Sequence, residues 1–180
     1  MTIAVRLGVL FLILVAVTAA ADTTSNAAKI QVLFTPGDNI AGVIVQAIRG
    51  AKQSVRVQSF NFTNKAIGRA LLDAQRQGIN VTILADQEQF EKGAAFILRD
   101  LKQAGVAIKL DGAHRAAHNK VMLIDDEGAN PKIITGSFNF TQAAQKYNAE
   151  NMVLIHNDKT LANAFRDNWQ QHWRHGVAVE

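Results

Sequence analysis

Cysteine is absent from the 180 residues, and proline occurs only twice. Without thiols there is no disulfide framework and no thiolate zinc module, so an apolar core must hold the fold unaided. Scarce proline beside 48% hydrophobic residues excludes collagen-like and disordered low-complexity classes. A strong charge of one sign is also missing. The 19 Lys+Arg against 15 Asp+Glu leave +4, compatible with a polyanionic partner but too mild to indicate one. No fixed-period repeat and no interior linker interrupts the chain, whose length suits one domain with a real core.

One long apolar run is present, at the start. Arg6 precedes Leu7 to Val17, and the small residues Ala19, Ala20 and Ala21 follow. A short positive end, an apolar middle and a small-residue exit are the layout of a cleaved secretory signal. Residues 1–21 are therefore expected to be a signal peptide and residues 22–180 a single domain. The run falls short of the roughly 20 apolar residues that a spanning helix needs. A periplasmic or secreted location follows, with no stable membrane association after cleavage.

Beyond residue 28, strand-like and helix-like patterns alternate. Lys29 to Phe34 reads as a strand ending at Pro36-Gly37, and Asp38 or Asn39 can cap a helix with Ile40, Val43, Ile44, Ala47 and Ile48 on one face. Ser54 to Phe60 is a second strand. Thr63 or Asn64 caps a helix carrying Ile67, Ala70, Leu71 and Ala74, which Gly78 ends. Asn80 to Ala85 is a third strand, and a third helix is predicted over Ala94 to Ala104. Short strands are predicted over 107–110, 120–125, 133–135 and 151–156, then a helix over 158–175. This order predicts a layered α/β/α domain with a largely parallel mixed central sheet. Leu161, Phe165, Trp169 and Trp173 step by four and are expected to face the core.

The chemistry concentrates between His118 and Glu150. His118 and Lys120 are two apart and lead into an apolar strand, so their side chains share a face. Asp125 has the opposite parity and is expected to face away, anchoring its loop. Ser137 and Asn139 repeat the spacing of two after the next strand. A base or nucleophile, a fixed cation and two neutral donors suit a reaction in which charge builds on phosphate oxygens. Asp86 ends a strand and reads as an ordinary cap. His114 with His118, or His172 with His175, are candidate metal ligands by residue type, but no His-Glu-x-x-His pattern accompanies them. No catalytic metal and no cofactor is expected. Ser137 lacks the Gly-x-Ser-x-Gly elbow of a hydrolase triad.

The stretch HNKVMLID resembles the His-x-Lys-x-x-x-x-Asp motif of the phospholipase D superfamily, and GSFN resembles the Gly-Ser-x-Asn element that follows it. The segments SVRVQSFNFTNKAIGRALLDAQRQGINVTILAD and GSFNFTQAAQKYNAENMVLI resemble the neighbouring strands and helices, so the likeness extends from Ala28 to Trp173. It points in particular to small exported bacterial endonucleases with one motif per chain. One departure is the ten residues between Asp125 and Gly136, a few more than the family usually has. Gly128, Asn130 and Pro131 there read as a longer hairpin turn.

The resemblance implies that His118 attacks phosphorus and that Lys120, Ser137 and Asn139 hold the phosphate oxygens. Asp125 completes the motif, and Glu150 is implied to orient the histidine. Arg115 and Lys146 flank the motif and are candidates for contact with backbone phosphates. With one motif per chain, a second His118 is expected from another copy across a two-fold axis. The implied protein is a homodimeric, metal-independent, sequence-nonspecific endonuclease acting on nucleic acid, DNA first and RNA as a further candidate substrate. The alternatives are hydrolysis of phospholipid headgroups and a non-catalytic nucleic-acid-binding domain of the same fold.

Overall fold

A computed structural model describes residues 28–179; the expected signal peptide lies outside the described residues. The chain runs β1 (Lys29–Thr35), α1 (Ile40–Arg49), β2 (Ser54–Ser59), α2 (Lys65–Arg76), β3 (Asn80–Asp86), α3 (Gln87–Gln89), a π-helical turn (Phe90–Ala94) and α4 (Ala95–Gln103). It continues through β4 (Ala107–Asp111), β5 (Lys120–Ile124), β6 (Lys132–Gly136), α5 (Gln142–Lys146), β7 (Glu150–His156), α6 (Lys159–His175) and β8 (Val177–Ala178). Local chemistry sets these boundaries. Asn39 accepts from the Gly42 amide at the start of α1, and Asn64 accepts from the Ala66 and Ile67 amides at the start of α2. Gly78 and Gly105, at φ of +84° and +85°, turn the chain after α2 and α4. Helical structure begins at Gln87, earlier than predicted. Asp86 caps that turn through the Gln89 amide, while the polar sequence QEQ carries no apolar period to reveal it.

The eight strands form one sheet in the order β1-β7-β6-β5-β2-β3-β4-β8. The sheet is mixed, but it is not largely parallel. Only β2–β3 and β3–β4 pair in parallel, and the other five pairings are antiparallel. The reason lies in the connections: parallel neighbours need a crossover of a dozen or more residues. Residues 125–131 instead turn β5 directly into β6, and β1 and β8 run back along the two edges.

Helices cover both faces. On one side Ile44, Ile67, Leu71 and Leu98 of the helices pack on Val55, Val57, Ile83, Met122 and Ile134. On the other, Ala162 and Trp169 of α6 pack on Val121, Leu123, Ile133 and Ile155. Successive strand residues therefore serve opposite layers. Trp169 is buried as expected of the four-step stripe, with its indole N–H donating to the Val57 carbonyl at 3.3 Å; Leu161, at the start of α6, stays exposed. Edge strand β1 is left open on one face, where Ile30 and Val32, opposite Ile155 and Val153, remain 66% and 49% exposed. Phe34 continues that apolar stripe. No helix among the described residues is long and apolar enough to cross a membrane.

Candidate active site

The ends of β2, β3, β4 and β6 share one edge of the sheet with the starts of β5 and β7, because β5 and β7 run antiparallel to their neighbours. Chemistry-bearing residues gather at such an edge in open sheets. Lys120 opens β5 opposite Ser59 and is buried. Its ammonium donates to the His118 carbonyl at 2.9 Å and sits 3.0 Å from His118 Nδ1. The His118 ring itself is exposed. Phe60 lies beneath both groups: its ring centroid is 4.4 Å from that of His118 and 4.8 Å from Lys120 Nζ. The Phe60 amide donates to the Asn119 carbonyl at 2.9 Å, which locks the loop after β2 to the loop carrying His118.

Glu150 opens β7 on the other side of this group. Ser137 Oγ donates to Glu150 Oε2 at 2.6 Å and accepts from the Asn151 amide at 3.0 Å. Asn148 donates to Glu150 Oε1 at 2.9 Å. This close seating depends on Gly136, whose φ is +145°; a Cβ there would collide with the Asn151 carbonyl and approach Met152 Cα to 3.0 Å. Burial lowers the Lys120 pKa to about 8, and the negative charge of Glu150 opposes that shift. A compact cation is thus held in a partly desolvated place, where it acts strongly on an incoming anion.

Several sequence expectations need relocation. Glu150 is bonded to Ser137 and Asn148 and acts on Lys120 by charge; it is not found orienting His118. Asp125 stands at the far end of β5, where its carboxylate accepts from the Lys52, Gln53 and Ser54 amides at 2.9, 2.7 and 3.1 Å. As its parity predicts, it faces away and anchors its surroundings, here the start of β2, and is not among the groups gathered around His118. Asn139 is half-buried, its Oδ1 enclosed without a hydrogen-bond partner, and the following Phe140 carbonyl accepts from the Thr63 and Asn64 amides. Arg115 is exposed on the rim of a cavity lined by Asp86, Glu88, Glu91 and Asp111, surroundings that attract cations and repel phosphate. Lys146 ends α5, exposed. Phe60 and Asn148 are the site residues that sequence reasoning missed; Phe60 was read only as the last apolar residue of a strand.

A family model described as cardiolipin synthase, phospholipase D-like domain, matches residues 44–173. The chain belongs to the phospholipase D superfamily. Within that superfamily, it is 39% identical over 141 residues to a phospholipase D of Rickettsia typhi, covering 78% of this chain and 66% of that protein. It is 29% identical over 131 residues to a mitochondrial cardiolipin hydrolase of Xenopus laevis, covering 73% of this chain and 59% of the other. The chain thus spans a little under two thirds of the Rickettsia typhi relative. Among solved structures, Nuc from Salmonella typhimurium, a phospholipase D family member, superimposes with a TM-score of 0.80 at 30% identity, covering 86% of this chain and 99% of that one. NucT from Helicobacter pylori shares the fold, with a TM-score of 0.74 at 21% identity, covering 85% and 100%. The phospholipase D-like domain described above, an α/β domain with a mixed eight-stranded sheet, is therefore the whole of those two chains.

Proposed function

We propose that this phospholipase D-like domain is a phosphodiesterase that cuts nucleic-acid backbones without sequence preference, through a phosphohistidine intermediate shared between two copies. The observation that carries the reading is the exposed His118 ring set directly against the buried Lys120 ammonium. In the first step a His118 nitrogen lone pair attacks phosphorus. A P–N bond forms, the P–O bond to the leaving group breaks, and the departing oxygen takes a proton from the His118 of a second copy. In the next step that second imidazole accepts a proton from water as the water oxygen attacks phosphorus. The P–N bond then breaks and His118 is restored. One ring must enter neutral and the other protonated, so two rings divide the acid and base roles.

Lys120 supplies the positive charge for the non-bridging oxygens, so the scheme routes no step through a metal. Ser137 and Asn139, just past the end of β6, are the neutral groups that would meet the same phosphate, the Ser137 hydroxyl turning from Glu150 to do so. Pairing of two copies has support in the exposed apolar stripe Ile30, Val32 and Phe34, whose strand ends opposite Glu150 at the site edge. Near-complete coverage of the single-domain Nuc and NucT chains supports activity of this domain without further parts. Export to the periplasm or beyond remains the reading of residues 1–21.

A second substrate has a specific observation in its favour. The relatives named above are a phospholipase D and a cardiolipin hydrolase, and a lipid headgroup offers the same phosphodiester. Incubation with DNA, RNA and cardiolipin vesicles side by side, with chelator present, separates the two. The proposal expects nicking of plasmid DNA; hydrolysis of the vesicles alone would replace it with the lipid reading.

A further inference from the structure

Away from the His118 group, Asp111, His114, His172 and His175 each bring one ligand-type atom to a common point, all within 4.8 Å of one another. His114 Nδ1 lies 3.1 Å from Asp111 Oδ1, while His172 Nδ1 and His175 Nε2 lie 2.8 and 3.1 Å from Oδ2. The three ring centroids are 4.8 to 5.3 Å apart. Sequence reasoning paired His114 with His118; in the structure His114 joins the two histidines of α6, and His118 is not in the group.

We propose that this cluster binds one divalent transition ion of the zinc type, at a structural site separate from the phosphodiesterase centre. Three imidazole nitrogens and one carboxylate oxygen are a ligand set suited to zinc, and four protein ligands make a closed, structural site. Bonds of about 2.0–2.1 Å in a tetrahedron give ligand–ligand edges of about 3.3 Å, close to the observed contacts. Magnesium and calcium fit poorly, since they favour oxygen ligands. Hydrogen bonding alone would commit the whole acceptor capacity of the Asp111 carboxylate, about four lone-pair sites, to the three rings and the Ala113 amide, which donates at 3.1 Å; metal uptake is what separates the two arrangements.

The site is also rigid before any ion arrives. Asp111 is buried at the end of β4, and His172 and His175 occupy the last turn of α6. That turn is bracketed on both sides. Strand β8 follows at once and pairs with Lys109 and Leu110, while Lys109 Nζ donates to the Trp173 carbonyl at 2.8 Å. A cavity of about 200 Å³, lined in part by Asp86, Glu88, Glu91, Asp111 and His114, gives a cation an acidic approach. The loop from residue 112 to 119 then has a fixed point at each end, the cluster at His114 and the Ala117 amide bonded to Asp86 Oδ2 at 2.8 Å. An ion would stiffen the loop that presents His118.

The test uses the whole protein, stripped with chelator and dialysed, then titrated with Zn²⁺ and separately with Co²⁺. One ion per chain is expected, with the visible absorption of tetrahedral Co²⁺. A hundredfold excess of Zn²⁺ over its Kd should raise the thermal midpoint by roughly 5–10 °C. His114→Ala, on an exposed loop, should weaken binding at least about tenfold, and His172→Ala should remove the stoichiometric site. Absence of stoichiometric uptake by the parent overturns the proposal, as does uptake unchanged in both variants. Loss of the ion in His118→Asn with retention in the cluster variants would also overturn it, since the ion would then sit at the other centre. Because binding and melting are read without substrate, a failed nuclease assay leaves this result standing.

Discussion

Replacing Lys120 by methionine should stabilise the folded protein while removing turnover. Burial brings this lysine from 10.5 to about 8, so holding its charge at neutral pH costs folding energy. Each unit corresponds to about 1.4 kcal/mol. Lys120 is only partly desolvated beside the exposed His118, so the realised sum is smaller, and the expected gain is about 1–2 kcal/mol at pH 7. Methionine keeps the length of the side chain and its packing on Phe60. The pH dependence follows from proton linkage. Above pH 8 the folded protein releases this proton, while the unfolded chain holds it until about pH 10.5. The parent's stability from this group therefore rises across that interval and closes the gap to the variant. Urea denaturation of both proteins at pH 7 and pH 10 measures this, and a variant less stable than the parent at pH 7 would show that burial of the charge is not costly. Turnover should fall by a factor on the order of 10² or more in the variant. In the parent it should decline as pH rises through about 8, where the cation is lost.

Other substitutions separate support from chemistry. Asp125→Ala leaves the amides of Lys52, Gln53 and Ser54 without their acceptor and should cost about 3 kcal/mol in denaturant melts, with kcat per folded molecule little changed. Gly136→Ala forces a side chain into a left-handed backbone against the Asn151 carbonyl; a loss of roughly 2–4 kcal/mol is expected, and less than about 1 kcal/mol would show that the strand relaxes freely. Ser137→Ala removes the hydroxyl between Glu150 and the Asn151 amide and should lower kcat on the order of a hundredfold while preserving the melting curve.

Much of this structure is written in local sequence. Asn39 and Asn64 announce helix starts because a side-chain oxygen can satisfy free amides there, and the apolar period behind each one names its buried face. His118, Lys120, Ser137 and Glu150 are legible because a superfamily motif ties them together, and the fold brings Lys120 to both His118 and Glu150. Strand direction was not legible, because a strand's period is the same whether its neighbour runs with it or against it. The Asp111 cluster was hidden for a related reason. His172 and His175 are visible as a pair, but the carboxylate they share lies 61 residues from His172 in the chain. Phe60 carries no polar group to draw attention; its role arises only when Asn119 is bonded to its amide.

In the proposed reaction His118 becomes covalently phosphorylated. Rapid alkaline quench during turnover of a short oligonucleotide, followed by peptide mass spectrometry, reads this directly. A nucleotide phosphoryl adduct is expected on the peptide containing His118 and not on the same peptide from His118→Asn. An adduct on another side chain, or full turnover by His118→Asn, would rule out His118 as the nucleophile.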